Sequence, residues 1–91
     1  MYKGFDKTGF MAWLEDNFTG FENSYLRSLV ENVIEYAHKH EHVGKDQFAY
    51  FVSDMLPEVT FGEVAMFCED DILTASGQRM KREALAEYAA A

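Results

Sequence analysis

One stretch of the chain leaves little freedom in how it folds. Across residues 24–40, Leu26, Leu29, Val30, Val33, Ile34 and Ala37 recur in the i, i+3, i+4, i+7 pattern that puts side chains on one face of an α-helix. Asn23 stands where an N-cap belongs, and His38, Lys39 and His40 fall in the last turn, where the helix dipole favours positive charge. A helix with a continuous apolar face must bury that face against other elements, and the rest of the chain supplies more helices to do so.

Four further helices are predicted. The first covers 7–17 behind Asp6 as N-cap, with Phe10, Trp13, Leu14 and Phe18 as its buried stripe, and Thr19, Gly20, Phe21 and Glu22 turn the chain. The third covers 45–56 and is stopped by Pro57, with Phe48, Phe51, Val52, Met55 and Leu56 along one side. The fourth opens on a capping box, Thr60 with Glu63, and its face of Phe61, Val64, Ala65, Cys68 and Ile72 carries it to residue 72. The fifth covers 77–90. It is rich in helix formers, but its only large apolar residues are Met80, Leu85 and Tyr88, so it is expected to dock lightly or to sit at an interface. Gly20 and Gly44 mark boundaries. No segment alternates with a period of two, so the expectation is an all-α fold, a single compact bundle of about five short helices over residues 1–91.

Composition then narrows the function. Eight Lys and Arg face sixteen Asp and Glu, a net charge of −8, which argues against a general nucleic-acid binder. The one cysteine excludes a disulfide scaffold and fits a reducing, cytoplasmic setting. No apolar run reaches the roughly 18 residues of a membrane span, and residues 1–6 lack the apolar stretch of a signal peptide. Eight Phe, five Tyr and one Trp are more than a core this small hides easily, so some aromatics are expected at the surface.

Catalytic patterns are sparse. Glu31, Glu35, His38 and His42 form a helical stripe that includes one Glu-x-x-His spacing, but a di-metal site needs a second copy on a facing helix. The stripe lies about 150° from the apolar face at about 100° per residue, so it reads as solvated surface and not as a metal site. Cys68 falls on an apolar face, and Glu69, Asp70 and Asp71 beside it would raise its pKa, so it reads as an inert thiol. Nucleophile elbows, phosphate-cradling loops and zinc spacings do not occur. A non-enzymatic protein without cofactor or metal is expected. Arg79, Lys81 and Arg82 form the only basic cluster, too few for a recognition helix in a basic surround.

Charge placement is more telling. Residues 46–78 contain no Lys or Arg but seven acids: Asp46, Asp54, Glu58, Glu63, Glu69, Asp70 and Asp71. In the third helix Tyr50 points away from the apolar stripe between Asp46 and Asp54, its i−4 and i+4 neighbours. In the fourth, Met66 and Phe67 lie off the core stripe, with Glu63 and Asp70 between them. Placing Glu69, Asp70 and Asp71 late in a helix opposes the dipole and suggests a purpose other than stability. Apolar anchors among acids suit a protein-binding patch, so Asp46, Tyr50, Asp54, Glu63, Met66, Phe67 and Asp70 are the expected partner-binding residues. The expected partner is a protein with a basic surface, without direct contact to nucleic acid or membrane. The alternative is a structural or regulatory homo-oligomer, such as a homodimer packed across a two-fold axis, without a nucleic-acid-related partner.

The segments Asn17-Phe-Thr-Gly-Phe-Glu-Asn-Ser-Tyr-Leu26 and Lys45-Asp-Gln-Phe-Ala-Tyr-Phe-Val-Ser-Asp-Met-Leu-Pro57 resemble small accessory proteins of phages and conjugative elements of Gram-positive gut bacteria. The resemblance spans most of residues 9–83, contains no signature motif and transfers no catalytic residue. It implies a mobile-element origin, and such elements encode small inhibitors of host defence, anti-CRISPR proteins among them.

Overall fold

A computed structural model of the chain describes residues 4–19, 21, 23–40, 45–56 and 58–90. The expected roles of Gly20, Glu22, His42, Gly44 and Pro57 concern positions outside the described residues. Five α-helices follow one another: α1 (Lys7–Asn17), α2 (Ser24–His40), α3 (Gln47–Met55), α4 (Phe61–Ala65) and α5 (Ala75–Ala90), with a 3₁₀ turn at Asp70–Ile72 between the last two. Among the described residues the only extended pairing is an isolated antiparallel bridge between Phe5 and Cys68. The all-α reading holds.

Local chemistry explains the helix starts. The Asp6 carboxylate accepts from the Gly9 amide at 2.9 Å. With the carboxylate in this position a Cβ at Gly9 would collide with it, so a side chain there would have to displace the Asp6 carboxylate. The Asn23 side chain accepts from the Tyr25 amide at 2.8 Å at the start of α2. At α4 the capping box is complete: the Glu63 amide donates to Thr60 Oγ1 and the Thr60 amide donates to the Glu63 carboxylate.

The helices close on one hydrophobic cluster. Phe10, Met11, Trp13 and Leu14 enter it from α1, Val30, Val33, Ile34 and Ala37 from α2, and Phe48, Ala49 and Val52 from α3. Phe5 packs on Phe10 (ring centroids 5.5 Å apart) and on Phe48 (4.7 Å), and Phe67 packs edge-on to Phe10 at 5.6 Å. Edge and tilted arrangements of this kind add to area burial through the ring quadrupoles. Two expected core positions are outside it: Leu29 and Met55 are exposed.

The end of α4 differs from the sequence reading. The helix stops at Ala65 instead of running to Ile72. Backbone groups at 67–69 turn instead to the segment before α1: the Asp6 amide donates to the Phe67 carbonyl (2.8 Å) and the Glu69 amide to the Gly4 carbonyl (2.7 Å). Tertiary pairing therefore replaces two hydrogen bonds that helix propagation would have made, while Cys68 and Leu73 still reach the core. Glu69, Asp70 and Asp71 are not in the last turn of a helix. They lie at the start of the 3₁₀ turn, where the peptide dipoles no longer oppose them, and the electrostatic tension inferred from the sequence is absent.

α5 starts at Ala75, two residues earlier than expected, because Thr74 is held in place. Asp46, only 7 % exposed, accepts from the Thr74 amide at 2.8 Å and from its hydroxyl. Thr74 Oγ1 in turn accepts from the Gly77 amide at 3.1 Å, inside the first turn of α5. Asp46 also donates its own amide to the Ile72 carbonyl at 3.0 Å and sits at φ 71°, a left-handed conformation that Asp tolerates better than most side chains. Gly77 packs against its carboxylate so closely that a Cβ would collide with it. Further along, α5 docks on α4 through small residues: a Cβ on Gly62 would stand 3.4 Å from the Ala84 Cβ and 3.4 Å from the Met80 carbonyl.

Replacing Asp46 by Ala leaves the Thr74 amide and hydroxyl without their acceptor. Asp46→Ala is therefore expected to lose about 2–4 kcal/mol of unfolding free energy in urea, and Asp46→Asn, which keeps one acceptor and tolerates the left-handed backbone, roughly half as much. Equal losses in the two variants would show that the clasp contributes nothing specific.

Candidate protein-interaction site

The seven residues expected to form one patch separate in the structure. Asp46 is inside the fold, spent on Thr74, and is corrected from a surface acid to a structural one. Phe67 and Met66 are half-buried and pack on the core, Phe67 with its ring 5.6 Å from Phe10 and 6.1 Å from Trp13. The turn that ends α4 rotates Phe67 inward, which a helix continued to Ile72 would not have done. Asp70 is exposed and pairs with Lys81 at 3.2 Å, and the Lys81 ammonium also donates to the Cys68 carbonyl at 2.7 Å. Tyr50 is 48 % exposed and lays its ring 4.3 Å from Phe61 of α4. Asp54 is exposed on α3.

What does come together is a cleft of about 440 Å³ bordered by three helices. α1 contributes Trp13 and Asn17; the start of α4 contributes Phe61, Gly62, Glu63 and, just beyond it, Met66; α5 contributes Met80, Glu83, Ala84, Glu87 and Tyr88. Three carboxylates thus meet aromatic and thioether surface, and the lining contains no Lys, Arg or His. Glu63 is committed to the capping box through one oxygen. Glu83 and Glu87 are exposed, and among the described residues neither takes part in an ion pair. Like charges one turn apart destabilise a helix by about 0.2–0.5 kcal/mol, so this pair does not serve the stability of α5.

Trp13 is 6 % exposed, and its indole nitrogen is buried without an acceptor. A buried unsatisfied donor costs about 1–3 kcal/mol. Its ring lies among Phe10, Phe18 and Phe67, and the carbonyl of Trp13 accepts from the Asn17 side chain at 2.8 Å.

From the expected patch only Glu63 and Met66 line this cleft, with Tyr50 beside it through Phe61. Sequence reasoning missed Trp13, Asn17, Glu83, Glu87 and Tyr88. The signal for the α5 residues was present: Met80, Glu83, Ala84, Glu87 and Tyr88 follow the i, i+3, i+4, i+7, i+8 spacing of one helix face, and that face carries a repulsive pair.

Among the described residues no group of three or more metal-ligating side chains is assembled. Glu31 pairs with Lys7 at 3.0 Å, and the ring of His40 packs on Tyr36 at 4.4 Å. No helix among the described residues is long and apolar enough to cross a membrane. Cys68 is buried and donates to the Val64 carbonyl at 3.6 Å. Burial pushes its thiol up to about 12; the Asp46 charge adds to this and Lys81 opposes it, whereas the neighbouring acids invoked from the sequence are not among the causes. No known protein family matches the chain, and neither a curated protein nor a solved structure does.

The raised pKa has a measurable consequence. Burial pushes the thiol from its ordinary 9.0 up to about 12 in the folded chain. Cys68 is expected to resist a disulfide reagent at pH 8 until denaturant is added, and native stability is expected to fall as pH rises through that interval, because only the unfolded state gains by releasing the proton. Rapid labelling of the folded chain, followed by the colour change of the reagent, would contradict this.

Proposed function

We propose that the chain is a non-catalytic, acidic interaction module that docks on a positively charged surface of a protein partner. The observation that carries this reading is the cleft between α1, α4 and α5, in which Glu63, Glu83 and Glu87 meet without a compensating cation. A net charge of −8 on 91 residues supports it, since complementary charge speeds encounter and selects partners. Carboxylates on a rigid scaffold can occupy the positions of phosphates, so the partner class that fits is a cytoplasmic protein whose basic groove otherwise receives nucleic acid. The resemblance to accessory proteins of mobile elements agrees with this role, that of an inhibitor of the anti-CRISPR kind.

A second reading rests on a different face. Tyr36 and Met55 are exposed beside a groove between α2 and α3 that Val33 and Phe51 also line, with the Tyr36 and Phe51 rings 5.1 Å apart. Such a face suits self-association across a two-fold axis. A monomer in sedimentation at high micromolar concentration would remove that reading.

The first reading is tested by capture from a Gram-positive bacterial lysate with elution in rising salt. Screening shrinks the reach of charge from about 8 Å at physiological ionic strength to about 3 Å at 1 M. A nucleic-acid enzyme should be retained at low salt and released as salt rises, and the variant Asp54→Lys/Glu83→Lys/Glu87→Lys, which spares the capping box and the Asp46 clasp, should not retain it. A partner held equally by the variant, or no partner at all, would overturn the reading.

A further inference from the structure

We infer that the cleft between α1, α4 and α5 is a receptor for an arginine side chain of the partner polypeptide; the inference rests on the interaction-module reading and names the site through which it acts. Two independent observations lead to it. The first is chemical pairing. Glu83 and Glu87 are exposed carboxylates one turn apart, unpaired among the described residues, beside the half-exposed ring of Tyr88. Carboxylates accept hydrogen bonds and cannot donate, so what they recognise is a donor, and a cationic one. Guanidinium is flat, always charged, and suited both to a carboxylate fork and to stacking on an aromatic face, whereas ammonium is a strongly hydrated point charge.

The second observation is Trp13. It borders the same cleft, is 94 % buried by its 6 % exposure, and carries an indole N–H with no acceptor in the protein. That donor asks the occupant for an acceptor as well as a cation. A metal ion or a protonated polyamine offers no acceptor. An arginine within a polypeptide offers both, its guanidinium to the glutamates and a peptide carbonyl to the indole. In this structure the indole nitrogen is shut off from solvent, so reaching it takes a shift of the ring. Trp13 is the only tryptophan in the chain, and its emission reports that shift directly.

The test titrates the full chain with a capped Gly-Arg-Gly-Arg-Gly peptide and with the same peptide carrying citrulline, which keeps the shape of arginine and removes its charge. The arginine peptide is expected to change Trp13 emission and to shift amide resonances of Glu83, Glu87 and Tyr88. The citrulline peptide is expected to bind at least about tenfold more weakly, and Glu83→Gln/Glu87→Gln to lose about tenfold in affinity, while Glu35→Gln on the far face of α2 binds as the parent does. Should the double variant not fold by circular dichroism, Tyr88→Ala at the exposed rim takes its place. Equal binding of citrulline, or resonance shifts spread over the acidic surface with Trp13 unmoved, overturns the inference. If the peptide fails at the cleft while a captured partner still releases with salt, the interaction module stands and acts through another face. If the peptide binds at the cleft and no partner is captured, the arginine site stands and the broader reading falls.

Discussion

The Asp46 carboxylate holds together the two halves of this fold. It sits immediately before α3, and its acceptor oxygens are filled by Thr74, 28 residues further along, immediately before α5. Thr74 passes the constraint on by accepting from the Gly77 amide in the first turn of α5. A single buried carboxylate therefore fixes where α5 begins and in which direction it leaves. With few large apolar residues on α5, hydrophobic burial alone would not set its position; the polar clasp does so at one end, and the close approach of Ala84 and the Met80 carbonyl to Gly62 does so midway. Burying an acid is tolerated because its hydrogen bonds are made to charge-compatible donors.

The cleft is a consequence of that placement. Its walls come from helices distant in sequence, and it exists only while α5 lies along α4. Small residues at the contact bring the helices near each other, and the longer side chains on either side of the contact, Glu83, Glu87 and Tyr88, are left to stand around the opening. The same acids on a free helix would only repel one another.

This architecture explains which parts were legible in the sequence. The starts of α1, α2 and α4 are written in residues within three positions of each other, Asp6 with Gly9, Asn23 with Tyr25, Thr60 with Glu63. A cap is a local interaction, so a local reading finds it. The end of α4 is decided by backbone pairing with residues 4–6, more than sixty positions away in the chain, and no periodicity within 61–72 could reveal it. Asp46 is the clearest case. Its neighbours made it look like a surface acid beside Tyr50, and only the approach of Thr74 turns it into an interior one. The expected grouping of the seven residues comes apart for the same reason. It assumed that α4 continued, and a helix that stops at Ala65 redirects Phe67 to the core.

Frustration in the finished fold is a better guide to function than acid content. Of the acids expected to matter, Asp46 and Glu63 satisfy structural needs, Asp70 pairs with Lys81, and Asp54 stands exposed to solvent on α3. None of these leaves an electrostatic cost unexplained. Glu83 and Glu87 do leave one, and so does the indole N–H of Trp13, and these unmet demands border one cleft. A small domain is held by only about 5–15 kcal/mol in total, and each of these works against it. Two costs of complementary kind, one lacking a cation and the other lacking an acceptor, are what the proposed occupant, an arginine within a polypeptide, would remove together.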